Sequence, residues 1–369
     1  MKIQTIEETR VKENTIEANI VDTSSISKVV KNKNMLITGG TGSIGRAILN
    51  QVLPHEPANI IIFSRDEQKQ LQMKKDYCDY SNISFRLGDT RNKDNLISAC
   101  KNQDVVFHTS ALKDIVSDEL NPDEAIDTNT IGTRNLIAAS IEQKVKRVVN
   151  ISTDKAVYST SVLGATKFLA ERLIIAANKR QQDTILCNVR FGNVVGSRGS
   201  IIPVLAEQIQ KNRTITITDP EMTRFMMTLD AAAKLVLGVS SISKGGETIV
   251  LKMKSTTVRK IANEIKNIVS EKTGLDIKSI KEKLIGRRES EKLHEALLSE
   301  EEMSCTFEHG DFLIIDNDNN WPNQNKNFNP KWTYSNTTEK FSDSEIYQIV
   351  LKCLTNFEKD QVPILLKKY

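Results

Sequence analysis

The sequence predicts an α/β fold, a doubly wound parallel sheet with a smaller, mixed C-terminal lobe. Three observations lead there. Short β-rich runs recur at 34–38, 59–64, 83–86, 104–108, 146–151 and 184–190. Helix-length amphipathic stretches, such as Ser43 to Leu53 and Asp123 to Gln143, separate them. The first run feeds straight into a glycine-rich turn, Gly39-Gly40-Thr41-Gly42-Ser43-Ile44-Gly45. Strands that alternate with helices return through right-handed crossovers, which pair them in parallel.

The elements divide the chain into four stretches. Residues 1–33 are polar with a few aliphatics and read as an N-terminal extension with room for one helix. Residues 34–192 hold the regular strand–helix alternation and form the nucleotide-binding domain. Regularity fades after about Gly192, so 193–315 reads as the smaller lobe, with some of it crossing back to the sheet. Residues 316–369 are a C-terminal loop and helix: 316–336 is rich in Asn and Asp, and Asp343 to Glu358 has a helical pattern.

Composition narrows the function. A chain of 369 residues can bury one large core or two unequal ones. A net charge of +4 without a basic block argues against nucleic acid. No apolar run approaches the ~18 residues of a membrane span. The polar, acidic start, Met1 to Arg10, is unlike a secretory signal. Five scattered cysteines and four scattered histidines show no metal spacing, so no metal is expected and the cysteines read as reduced packing residues of a cytoplasmic protein.

The glycine-rich turn carries the first chemistry. Gly39, Gly42 and Gly45 allow a tight turn, close backbone approach and close helix packing, with Thr41, Ser43 and Ile44 completing the cradle. The helix that follows offers about half a positive charge to a pyrophosphate. In its strand–turn–helix setting the pattern predicts dinucleotide binding and a Rossmann-type domain. The second strand ends in Ser64-Arg65-Asp66-Glu67. An acid at this strand end would hold a ribose 2′-hydroxyl, whereas Ser64 and Arg65 suit a 2′-phosphate, so the expected cofactor is NADP. Ser64 also suits a helix cap, with Asp66 and Glu67 favouring the positive helix end. After the third strand, Asp89 and Thr90 can meet the adenine or simply make a turn. After the fourth, His108-Thr109-Ser110-Ala111-Leu112-Lys113 brings small residues such as Ala111 past the nicotinamide ribose, with Lys113 set to meet a phosphate or ribose.

Ser152-Thr153-Asp154-Lys155 says most about function. Thr153, Asp154 and Lys155 put a hydroxyl, an acid and an amine side by side, and Lys167 adds a second amine. The same residues would also serve as a helix cap at a strand end.

Several motifs together resemble the extended short-chain dehydrogenase/reductases, and within them the UDP-N-acetylglucosamine 4,6-dehydratases of polysaccharide and glycan biosynthesis. They are Gly39 to Gly45, Ser64 to Glu67, His108 to Lys113, Ser152 to Lys155 and Gly164-Ala165-Thr166-Lys167. Beyond these come Arg190-Phe191-Gly192-Asn193-Val194, Pro220-Glu221-Met222-Thr223-Arg224-Phe225 and Glu291-Lys292-Leu293-His294-Glu295. The likeness spans roughly residues 34 to 300.

The resemblance implies a UDP-sugar bound beside NADP⁺. Hydride leaves sugar carbon 4, a base removes the proton on carbon 5, water departs from carbon 6, and hydride returns to carbon 6. The product is a UDP-4-keto-6-deoxy sugar, with or without inversion at carbon 5. Thr153 would donate a hydrogen bond to the carbon 4 oxygen. Asp154 would be the acid at the carbon 6 hydroxyl, which needs a raised pKa. Lys155 would be the base at carbon 5, its amine pushed towards neutrality by a neighbouring cation. Lys167 would hold the nicotinamide ribose. The implied substrate contacts are Asn129, Asn193, Arg224, Arg288 and Glu291, although 286–291 lacks the Pro-Gly that the family places before the glutamate. Family members commonly form homo-oligomers.

One position departs from the pattern. Leu163 stands where the family usually has a tyrosine, which takes the carbon 4 hydroxyl proton. A proton-transfer group is worth a factor of ~10² to 10⁴ in rate, roughly 3 to 5.5 kcal/mol. Three outcomes are open. Asp154, Lys155 or Thr153 relays the proton through water, as in a branch of the family with an apolar Met at this slot; Tyr158 reaches in from the preceding loop; or the chain binds nucleotide without turnover. A UDP-hexose 4-epimerase is the alternative activity, and a non-catalytic nucleotide-binding protein the alternative class. The adjacent acid and amine favour dehydration, because epimerisation needs no such pair.

Overall fold

The computed structural model describes residues 23–197, 199–318, 320–321 and 328–360. Six parallel strands arise from the predicted runs: β1 (Asn34–Thr38), β2 (Asn59–Ser64), β3 (Ile83–Leu87), β4 (Val105–His108), β5 (Arg147–Ile151) and β6 (Ile185–Arg190). Most of β1, β4, β5 and β6 is buried, as parallel strands covered by helices on both faces require. Eight short strands follow: β7 (Asn193–Val195), β8 (Thr214–Ile217), β9 (Thr223–Thr228), β10 (Thr248–Leu251), β11 (Ser255–Thr257), β12 (Lys281–Leu284), β13 (Thr306–His309) and β14 (Phe312–Ile315).

Among the described residues the main sheet has nine strands in the order β3-β2-β1-β4-β5-β6-β10-β14-β13. β10 joins β6 in parallel, and β14 and β13 close that edge antiparallel. The crossing back from the C-terminal half is therefore three strands wide. β1 lies between β2 and β4, so the chain leaves it in opposite directions along the sheet. Ligands of such sheets bind outside the carboxyl ends at this switch point.

The helical stretch anticipated from Asp123 to Gln143 is interrupted. A π-helical turn, Ile126–Ile131, joins Pro122–Ala125 to Gly132–Glu142 and buries Thr128, Asn129 and Thr130. Such turns recur at functional sites. The helix Val162–Lys179 follows β5 and carries Leu163 and Lys167 on its buried side.

The lobe has its own core, built from Ile202, Leu205, Ile209, Ile215, Met222, Ile261, Ile265, Phe341, Ile346 and Val350. The final helix, Asp343–Asp360, packs here against helices Ile201–Asn212 and Val258–Thr273. Arg190 ties lobe to sheet. Its buried guanidinium lies 2.6 Å from Glu171 and 2.8 Å from Glu302, and also donates to Leu297 O at 2.8 Å. Two carboxylates and a carbonyl leave little of its charge unmet, the condition for burying an arginine.

Candidate active site

A cavity of about 680 Å³ opens at the carboxyl ends of β1, β2, β4 and β5. Gly39, Thr41, Gly42, Ser43 and Ile44 form one wall. Gly39 has φ of +66°, and a Cβ there would fall 2.7 Å from Ser110 N, so only glycine lets the loop after β4 come this close. Gly45 stands behind the wall. A Cβ on it would meet Gly40 Cα at 2.5 Å, which makes it the residue that seats the helix against the loop.

At the end of β2, Ser64, Arg65, Asp66 and Lys69 line the cavity. Asp66, rather than Ser64, caps the helix Glu67–Asp76: its Oδ1 accepts from Lys69 N at 2.9 Å. Ser64 Oγ instead accepts from Gln70 Nε2 at 3.1 Å. Arg65 is about half exposed and 3.9 Å from the Asp89 carboxylate. Asp89 and Thr90 border the same region, but Arg91 already grips Asp89 at 2.7 and 3.0 Å. Ala111 and Lys113 line the cavity, and Lys113 Nζ reaches Ser197 Oγ at 3.5 Å across its mouth.

At the far end stand Thr153, Lys155, Leu163, Lys167 and Asn193. β5 delivers Thr153 at the cap of a single helical turn, Asp154–Ala156. Lys155 Nζ donates to Asp154 Oδ1 at 2.9 Å and lies 3.6 Å from Glu295 Oε1 and 3.5 Å from Asn193 Oδ1. Asp154 is fully buried behind this wall and does not line the cavity. Its Oδ1 also accepts from Thr153 Oγ1 at 3.0 Å, while Oδ2 is buried without a hydrogen-bond partner.

Burial, reinforced by Glu295, raises the Asp154 pKa against the pull of Lys155. Burial alone would lower Lys155, but Asp154 and Glu295 override it and the amine is raised. This corrects the sequence expectation that a neighbouring cation makes Lys155 neutral: Arg224 pulls it down, but Asp154 and Glu295 outweigh that pull. Lys167 behaves otherwise. Burial lowers it to about 8, only partly offset by Glu171. His108, held between Thr38 at 2.7 Å and Thr133 at 3.0 Å, is lowered by burial and by Lys167 to about 3 and stays neutral.

A recess of about 100 Å³ adjoins the cavity and shares Lys155 and Asn193 with it. Arg224, Glu291, Lys292 and Glu295 complete its charged lining. Among the described residues no group of three or more His, Cys, Asp or Glu could hold a metal ion, and no helix is long and apolar enough to cross a membrane.

A family model described as "Polysaccharide biosynthesis protein" matches residues 35–317. The chain belongs to the polysaccharide biosynthesis protein family. Among its relatives, an uncharacterized membrane protein, MJ1061, of Methanocaldococcus jannaschii is 41% identical over 330 residues, 89% of this chain and 97% of the relative. A UDP-glucose 4-epimerase of Rickettsia canadensis is 39% identical over 289 residues, 77% of this chain and 82% of the relative. The solved structure of Pen from Bacillus thuringiensis is 41% identical, with a TM-score of 0.82, covering 88% of this chain and 98% of Pen. This polysaccharide biosynthesis protein is thus an extended short-chain dehydrogenase/reductase of the nucleotide-sugar dehydratase and epimerase type.

Three assignments made from sequence need correction within this family member. Tyr158 sits in a left-handed turn with φ of +46°, its ring exposed and its hydroxyl accepting from Glu300 N at 2.6 Å; it points away from the cavity and cannot stand in for the missing tyrosine. Asn129 is fully buried, with its amide committed to both backbone groups of Leu112 and to Thr166 Oγ1, so it positions the 111–113 loop and lines neither the cavity nor the recess. Arg288 is half exposed, 3.9 Å from Glu291, and lies at the rim outside the recess. Conversely, the motif Glu291 to Glu295 gives no sign of a role for Lys292 or Glu295, and the structure brings Glu295 between Lys155 and Lys292, 3.6 Å from each.

Proposed function

We propose that this protein is an NADP-dependent UDP-N-acetylglucosamine 4,6-dehydratase. The observation that carries the proposal is Lys155: it is shared between the dinucleotide-sized cavity and the charged recess, and two carboxylates back it. A base at this junction can reach a sugar whose ring spans both.

The cavity fits the cofactor. The wall at Gly39 admits no Cβ, and Arg65 and Lys69 place two cations where a 2′-phosphate would lie. Gly39 to Ile44 would hold the pyrophosphate, Ser64 and Arg65 the 2′-phosphate, Asp89 and Thr90 the adenine end, and Ala111, Lys113 and Lys167 the nicotinamide ribose. The bound nicotinamide supplies reversible hydride exchange with the sugar.

The chain's own residues handle the protons. Thr153, whose own hydroxyl proton is directed at Asp154 Oδ1, would accept from the carbon 4 hydroxyl and pass that proton on to Asp154 as hydride leaves for the nicotinamide. Asp154 and Lys155 share a proton along their 2.9 Å contact. With that proton on Asp154, whose burial favours the acid form, Lys155 is a free amine and takes the proton from carbon 5. The pair then holds two protons: one leaves with the carbon 6 hydroxyl as water, and the other returns to carbon 5 as hydride returns to carbon 6. Asp154 thus acts from behind Lys155. Asn193, Arg224 and Glu291 bind the nucleotide-sugar, Arg224 being suited to the diphosphate.

The Rickettsia canadensis relative favours a second reading, UDP-hexose 4-epimerisation. Both reactions need a proton acceptor at carbon 4, so Leu163 does not separate them; only dehydration needs a base at carbon 5, the part given to Lys155. Proton NMR of the protein mixed with UDP-N-acetylglucosamine separates the two. A new methyl doublet marks loss of the carbon 6 hydroxyl; a carbon 4 epimer without a methyl signal would refute the dehydratase assignment.

A further inference from the structure

A second acid–amine pair stands against the first. Glu295 turns its two oxygens to two different lysines: Oε1 is 3.6 Å from Lys155 Nζ, and Oε2 is 3.6 Å from Lys292 Nζ. Arg224 Nε is 4.0 Å from Oε1. Glu295 is buried, and its backbone is pinned on both sides by Ser335, which accepts from Glu295 N through its hydroxyl at 2.9 Å and donates its own N–H to Glu295 O at 2.9 Å. Lys292 Nζ is tethered to Val157 O at 2.5 Å at the edge of the recess. No step of the proposed dehydration uses either residue.

We infer that Glu295 and Lys292 are positioning residues that set the protonation of Lys155 in opposite directions. The charges facing Lys155 are the carboxylates of Asp154 and Glu295 and the cations of Arg224 and Lys292. With Asp154 ionised, two negative and two positive neighbours balance, so the cluster is neutral while Lys155 is a free amine and carries one positive charge once Lys155 or Asp154 takes a proton. Glu295 favours the ammonium form by direct attraction. Lys292 opposes it by repulsion and by competing for the same carboxylate. The directions of the shifts agree: burial lowers Lys292, and Lys155, Arg224 and Lys292 hold Glu295 below the usual carboxylate range despite its burial. Lys155 therefore sits between a group that loads it with a proton and one that helps it let go.

This inference rests on the proposed dehydration for its purpose, but its test does not. Only the neutral amine reacts with acetic anhydride, so trace labelling of the full chain at fixed pH, read by peptide mass spectrometry, reports the neutral fraction of Lys155 against exposed lysines. Glu295→Gln should raise the labelling of Lys155 about tenfold, the equivalent of one pH unit for a unit charge roughly 4 Å away. Lys292→Met should lower it several-fold, and Glu295→Asp should restore values near the starting protein. Opposite signs separate a charge effect from altered access, which would move both variants the same way. Unchanged labelling, or a shift of both variants in one direction, overturns the inference. If Glu295→Gln fails to fold, Lys292→Met alone decides, with increased or unchanged labelling counting against. A protein that forms no methyl product but shows the opposed shifts loses the dehydratase assignment and keeps this one; a working dehydratase without the shifts does the reverse.

Discussion

Asp154 and Lys155 are sequence neighbours joined by a 2.9 Å hydrogen bond, yet only Lys155 faces the cavity, with Asp154 sealed behind it. The arrangement follows from the one-turn helix at 154–156, which turns successive side chains in different directions. In the proposed mechanism the two groups take different tasks: Lys155 would touch substrate, and Asp154 would hold a proton behind it.

Removing either member should stop dehydration. Lys155→Ala deletes the base at carbon 5, and Asp154→Asn deletes the proton store while leaving the shape. Each should lower the rate of methyl formation by about 10² to 10⁴. An undiminished rate in both variants would contradict the assigned roles.

Leu163 lines the cavity one helical turn before Lys167 and can neither give nor take a proton. With Tyr158 turned outwards, the proposed mechanism carries this proton through Thr153, Asp154 and Lys155. Leu163→Tyr should then change kcat by less than about tenfold, because proton transfer at carbon 4 does not depend on that slot. A gain of ~10² or more, the typical worth of one general acid–base group, would show that the relay is inadequate.

Arg65 should govern the choice of cofactor. Arg65→Ala should weaken NADP binding about tenfold or more, in line with the ~1.5 to 3 kcal/mol of a hydrogen bond to a charged group, and leave NAD binding nearly unchanged. Calorimetric titration of both dinucleotides checks this, and equal losses for the two would return the 2′-phosphate assignment to question.

Lys167 makes stability depend on pH. Its folded-state pKa of about 8 lies below the ordinary 10.5, so between those values the unfolded chain binds more protons than the folded one. Stability contributed by this group therefore rises with pH across that window, and the penalty for burying the ammonium is fully in force below about pH 8. Lys167→Met should stabilise the cofactor-free protein at pH 7 by a few kcal/mol, and the gain should vanish above about pH 10.5. Urea unfolding at both pH values measures it; a gain of equal size at both would mean that lost packing, rather than charge, sets the difference.

Much of this was legible in the sequence because local signals and global fold agree. The glycines at 39, 42 and 45 announce the phosphate wall, and the apolar runs of β1 to β6 announce a sheet covered on both faces. What stayed hidden depends on tertiary placement. Glu295 meets Lys155 across 139 intervening positions, and its closest sequence neighbours give no hint of that partner. Tyr158 looked available because its distance along the chain was short; a left-handed backbone at that residue sends the ring outwards instead. Asn129 was placed in the substrate site by likeness, whereas the π-helical turn buries it and spends its amide on Leu112. Strand β14 was unreadable as a sheet member because its partner, β10, comes from another part of the chain, and β13 joins the sheet only through β14.

The account stands or falls on where the hexose lies relative to Lys155. A crystal structure with UDP-N-acetylglucosamine and NADP measures that directly. The expected result is sugar carbon 5 about 3 to 3.5 Å from Lys155 Nζ, the range of a reacting pair, with the diphosphate against Arg224. A pyranose bound outside the junction of cavity and recess, out of contact with Lys155, would contradict it.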